Sequence, residues 1–137
     1  YYIESNRSHY NHAHHSDGLD AAEQIIVEKY PEYNAAFTKV CNRTWAHMFN
    51  MFVMRRDLFD QYCEWMFSIL EEIEHRVDIS DYDTYEARIY GFVSEILLDV
   101  WLEANNINYK EQNVSFMEPQ NWIKKGGLFL KRKLFGR

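Results

Sequence analysis

Between Leu58 and Ile73 the apolar residues return every three or four positions: Leu58, Phe59, Tyr62, Trp65, Met66, Ile69, Leu70 and Ile73. That spacing lines one wide stripe along a helix of about five turns, opening within Arg55–Asp60 and ending near Arg76. Glu64, Glu71, Glu72 and Glu74 fall on the wet side. A second stripe runs through Tyr85, Ile89, Phe92, Val93, Ile96, Leu97, Val100 and Trp101. Asp83, followed by Glu86, supplies a capping pair at its start, and Asn105-Asn106 tolerates the left-handed geometry that ends a helix. Two long helices joined by a connection of about seven residues predict antiparallel packing.

The rest of the chain is less periodic. Residues 1–18 are polar, His-rich and irregular in pattern. Asp20 with Glu23 resembles a capping box for a helix that buries Ile25 and Ile26 and runs to about Lys29. Pro31 suits the first turn of another helix, reaching Lys39 to Asn42. The apolar run His47 to Met54 has no helical period, and its length and flanks suggest a buried strand. Tyr109 to Met117 alternates weakly and suggests a second strand. The expected fold class is therefore α+β, helix-rich, with a body over 1–118 and a separate tail over 119–137.

Charge separates the same two parts. The formal net charge is −6, yet Pro119 to Arg137 holds six bases and no acid, which leaves −12 on residues 1–118. Such a body repels a polyphosphate backbone, so no nucleic-acid partner is expected. Aromatics make up 17% of the chain, enough for a core with rings left over for surfaces. Cys41 and Cys63 have neither CxxC nor finger spacing, and reduced thiols in the cytoplasm are the simpler expectation. No apolar stretch approaches the ~18 residues that a membrane span needs, and no signal peptide is visible. Opening at Tyr1 without Met, the chain reads as a piece or a processed product.

Several residues carry candidate chemistry beside a plainer role. His9, His12, His14 and His15 are of the type that binds transition metals, although a solvated His run is the commoner case. Asp81-Tyr82-Asp83 matches the DxD pattern that holds Mg or Mn against a diphosphate, but Asp83 is also where a helix needs its cap, and capping is the preferred reading. Glu95 lies among apolar neighbours, where burial raises a carboxyl toward the range of a general base. Arg88, two turns earlier on roughly the same face, would either grip a phosphate or join an ion-pair network. Asn50 and His47 in the apolar run would either bind substrate or satisfy buried backbone groups. Trp65 and Trp101 fall on core stripes. Tyr1, Tyr2, Tyr10 and Trp122 fall outside them and are candidates for stacking on sugars. Cys63 has no His at useful spacing and is given no catalytic role.

A set of short runs occurs in a fixed order: Leu19-Asp20, Glu28-Lys29-Tyr30-Pro31-Glu32-Tyr33, His47-Met48-Phe49-Asn50-Met51-Phe52-Val53-Met54 and Asp60-Gln61-Tyr62-Cys63-Glu64-Trp65. Asp78-Ile79-Ser80, Ala87-Arg88 and Gly91-Phe92-Val93-Ser94-Glu95 follow. Over residues 1–125 this order resembles the C-terminal half of a family of bacterial capsular and exopolysaccharide glycosyltransferases, long carried as a domain of unknown function. The resemblance implies a GT-A-like enzyme whose other half holds a Rossmann-like sheet and most nucleotide contacts. It implies transfer of a sugar from a nucleotide-sugar donor to a growing glycan, with Mn or Mg in the complete enzyme and none in this piece, which alone would be inactive. His14 is the position it carries over, against a donor phosphate or a metal completed elsewhere.

The expectation is thus the acceptor-side part of a glycosyltransferase, with Glu95 as catalytic base and His14, Arg88, Asn50, His47 and Tyr10 as substrate contacts. The rival is a non-catalytic helical interaction module. The tail, Trp122 to Arg137, mixes bulky apolar and basic residues and could rest on the inner face of a membrane. An apolar face left open on the body would favour a homodimer.

Overall fold

A computed structural model describes residues 3–113 and Met117. Five α-helices appear among them: α1 (Asn6–Ala13), α2 (Asp17–Lys29), α3 (Asn34–Asn42), α4 (Arg56–Arg76) and α5 (Ile89–Ala104). Single 3-10 turns at Pro31–Tyr33, Met48–Asn50 and Glu86–Arg88 introduce α3, the loop before α4, and α5.

The expected α+β class is incorrect for the described residues, which hold helices and no strand. At 47–54 the chain forms a 3-10 turn and then runs without strand pairing. Nor is the run buried as expected: none of residues 47–54 is fully enclosed, and Phe49, Met51 and Val53 are exposed, because a strand needs both a neighbour to bond and a layer to cover it. Residues 109–113 likewise form no strand, and 114–116 of the second expected strand lie outside the described residues. The basic tail, together with Tyr1, Tyr2 and Trp122, lies outside them too.

α5 is the hub. It packs on α2, α3 and α4 and on the Met48–Asn50 turn. Its residues from Val93 to Trp101 are buried apart from the half-buried Glu95, as expected of a helix apolar on nearly every side. α4 contributes Tyr62, Trp65, Met66, Ile69 and Ile73, while Phe59 of the expected stripe stays exposed. Leu19, Ile25, Ile26, Phe37 and Val40 of α2 and α3 complete the core.

The N-terminal end is more ordered than its polarity suggests. Ser5 caps α1, its side chain accepting the Ser8 N–H at 3.2 Å. Asn6 is buried and donates its amide at 2.8 Å to the carbonyls of Val40 and Trp45, tying α1 to the end of α3. Asp20 does not cap α2, which begins a turn earlier at Asp17. Instead Asp20 and Glu23 receive the two arms of Arg7 at 2.8 and 2.6 Å. At Gly18 a side chain would meet Ile89 Cγ1 at 2.5 Å, so glycine is what lets α2 approach α5 this closely.

Among the described residues, no helix is long and apolar enough to cross a membrane.

Candidate functional site

The candidate residues gather along one face of the hub helix. Arg88, Phe92, Glu95 and Asp99 follow at steps of four, three and four, which stacks them in a row over three turns. Each is met by a different part of the chain.

At the Arg88 end, His14 lies flat on Phe92 with ring centroids 3.8 Å apart. Tyr85 stacks on the same imidazole at 5.7 Å, and Tyr10 meets it edge-on at 5.2 Å. The Arg88 guanidinium sits 5.4 Å from the Phe92 ring. Beneath them Glu86 is only 3% exposed, with one carboxylate oxygen 3.8 Å from His14 Nδ1 and accepting the His15 N–H at 3.3 Å. A buried carboxylate and a largely buried imidazole thus sit side by side under aromatic cover. Tyr10 is buried rather than displayed, and burial pushes its hydroxyl far above the ordinary tyrosine range. It therefore backs the imidazole and offers no open platform. The neighbouring His15 stacks on Tyr82 at 4.6 Å, while Tyr82 donates to Asp17 at 2.7 Å.

Asp83 caps a turn rather than the helix it was expected to start: α5 begins at Ile89, and its N-cap Arg88 makes no side-chain capping bond. The Asp83 carboxylate accepts the N–H groups of Tyr85 and Glu86, both at 2.8 Å, and so fixes the turn that presents Tyr85, Glu86 and Arg88.

In the middle of the row Glu95 is half-buried. Burial pushes its carboxyl above the usual carboxylate range, while the Phe49 N–H and the charge of Arg88 pull it back without prevailing. The Phe49-Asn50 turn is pinned here. Asn50 donates to Ser94 Oγ at 2.8 Å, and Ser94 in turn donates to the Gly91 carbonyl at 2.8 Å. Phe49 and Asn50 both adopt left-handed backbone, with φ of 74° and 49°. For phenylalanine that is a strained conformation, of a kind that concentrates at functional sites.

At the far end Asp99 is 2% exposed and is the hub's buried anion. His47 donates to it twice, from Nδ1 at 2.5 Å and from its backbone N–H at 2.8 Å. Arg43 adds an ion pair at 2.6 Å while lying 3.6 Å over the Trp45 ring. A shallow cleft of about 220 Å³ opens beside this cluster, lined in part by Arg43, Asp99, Leu102 and Tyr109. These bonds tie the 43–50 segment to α5 through His47 Nδ1 and its backbone N–H, while Nε2 lies 3.5 Å from a Glu111 carboxylate oxygen.

The His-rich segment is divided rather than pooled. Glu4 accepts His9 Nδ1 at 3.2 Å and His12 Nδ1 at 2.8 Å, whereas His14 and His15 turn to the aromatic site. Burial would raise the Glu4 carboxyl, but these bonds and one from Ser8 outweigh it and hold the group below its ordinary range. Among the described residues, no three His, Cys, Asp or Glu side chains are grouped to hold a metal ion.

The structure thus brings His14, Arg88, Glu95, Asn50 and His47 onto one helix face, with Tyr10 behind His14. It adds four residues that the sequence reading did not single out: Glu86, Phe92, Arg43 and Asp99. A signal existed for Asp99, the one charge inside the apolar run Ile96 to Leu102. None existed for Glu86, which looks like half of a capping pair.

The family model described as "Domain of unknown function (DUF4422)" matches residues 1–106, and the chain belongs to that family. No curated protein matches, and neither does any solved structure.

Proposed function

We propose that this chain is the acceptor-side part of a glycosyltransferase that moves a sugar from a nucleotide-sugar donor to a growing bacterial surface polysaccharide. The observation that carries the reading is the Arg88–Phe92–Glu95 row, in which a carboxyl kept above its usual range lies on one face with a cation and stacked aromatic rings. A sugar hydroxyl needs a base to take its proton as it attacks, and a carboxylate of raised pKa serves that role better than an ordinary one. Arg88, exposed at the end of the row, supplies charge for a departing diphosphate. His14, held flat by Phe92 and close to Glu86, supplies a hydrogen bond to the same group. Donor-binding residues and any Mn or Mg would be held by another part of the polypeptide.

The test is sugar transfer in a polypeptide that also carries the donor-binding part. Glu95→Gln should cut turnover at least 100-fold with little change in donor affinity, and Arg88→Ala should weaken donor binding. Full turnover with Glu95→Gln would sink the assignment of the base.

The rival reading, a helical interaction module, draws support from the exposed apolar residues Trp45, Phe49, Met51 and Val53.

A further inference from the structure

The residues from Met51 to Met54 join the Phe49-Asn50 turn to α4. Their run is apolar at every position, yet they belong to no helix. Met51 and Arg55 have extended backbone, with φ, ψ of −95°, 105° and −62°, 147°. Between them exposure alternates with the period of a strand. Phe52 and Met54 pack on the core, with the Phe52 ring edge-on to Tyr62 at 5.7 Å. Met51 is 59% exposed and Val53 fully so. Among the described residues, none of the backbone N–H or C=O groups of 51–54 makes a hydrogen bond.

Unpaired extended backbone is completed by another extended backbone, since only a strand matches its row of donors and acceptors. A strand that is apolar on both faces is the pattern of one buried on both, and here only the face of Phe52 and Met54 is covered. Natural edges that stay open are blunted by lysine, proline or a bulge, and residues 48–54 contain no charge and no proline. The charges begin only at Arg55 and Arg56.

We propose that 51–54 is a β-edge that accepts an extended strand of a sheet-bearing partner polypeptide, one whose own apolar side chains alternate. The partner joins backbone to backbone along this edge and covers Met51 and Val53. The inference stands apart from sugar transfer, because it rests on backbone geometry and not on the Glu95 face.

The test uses an eight-residue synthetic peptide of alternating valine and threonine with lysine at each end. Its control is the same peptide N-methylated at successive amides, so that it donates along neither edge. Amide exchange of 51–54 is followed by NMR on this chain at low concentration, with each peptide added in turn. The expected result is fast exchange in the free chain, slowed at least tenfold by the plain peptide and unchanged by the methylated one. Equal effects of the two peptides would reduce the site to apolar adhesion and overturn the proposal, and so would no effect of either. Slow exchange already present in the dilute free chain would show that the edge is covered from within. Protection that rises with the chain's own concentration would assign the edge to a second copy. Either of these also overturns it.

Discussion

Asp99→Ala is the substitution whose consequence the structure specifies most fully. The carboxylate is 2% exposed and receives Arg43, His47 Nδ1 and the His47 backbone N–H. Removing it leaves a largely buried guanidinium and two donors without their acceptor. Breaking a buried pair from one side costs about 3–5 kcal/mol. The lower end applies here, because Arg43 keeps its bond to the Trp45 carbonyl at 2.9 Å and its stacking on that ring. A loss of about 3 kcal/mol is a large share of the ~5–15 kcal/mol that stabilises a domain. With a urea slope of about 2 kcal/mol per molar, the midpoint should fall by about 1.5 M. Equilibrium urea unfolding followed by far-UV circular dichroism measures this directly. The double variant Arg43→Met with Asp99→Leu removes both charges and should recover much of the loss, since no unpaired ion remains. A loss under about 1 kcal/mol for Asp99→Ala would refute the claim that Asp99 anchors the 43–50 segment.

Other outcomes follow from the same geometry. Gly18→Ala gains about 1 kcal/mol of helix propensity but drives a methyl into Ile89, at a cost of about 1–3 kcal/mol. The net effect should be a lower Tm, and in a double-mutant cycle with Ile89→Val the two losses should sum to more than the loss of the double variant, since the smaller side chain makes room for the methyl. Gly91→Ala meets nothing within 4 Å, so it should raise stability by about 0.5–1 kcal/mol in the same thermal assay. Glu95 titrates higher folded than unfolded, so its stabilising contribution is complete below the unfolded carboxylate range. That contribution is lost as pH rises through the folded value. Glu95→Gln should therefore gain relative to the parent between acid and neutral pH, as read by unfolding at several pH values. A gain that shrinks toward neutrality would contradict the burial of that group. His14→Ala should cost about 0.5–1.5 kcal/mol through lost stacking on Phe92, visible as a reduced urea midpoint.

The long helices were legible because burial and periodicity agree there. Arg56–Arg76 falls where the three- and four-residue spacing put it, whereas α5 starts at Ile89 rather than at Asp83 and leaves Tyr85 of the expected stripe exposed. α1 was not legible, because its stability comes from contacts distant in sequence. Asn6 bonds to Val40 and Trp45, and Arg7 bonds to Asp20 and Glu23. No local pattern announces such partners. The expected strand at 47–54 failed for the complementary reason. Its alternation is real, with Phe52 and Met54 inward and Met51 and Val53 outward, but the described residues offer it nothing to pair with. On the candidate site, the spacing of Arg88 and Glu95 already indicated a shared face, and tertiary contacts supplied the rest. Asp99 claims His47, Ser94 claims Asn50, and Phe92 brings His14 to the row.

In the proposed function, the α5 face completes a nucleotide-sugar site contributed mainly by another part of the polypeptide. Calorimetric titration of nucleotide diphosphates and nucleotide sugars, with and without Mn, tests it most directly. It is performed on this chain and on a polypeptide that also carries the nucleotide-binding part. Binding is expected only by the longer form, weakened at least tenfold by Arg88→Ala or His14→Ala. No binding by either form, or binding untouched by both substitutions, would contradict it.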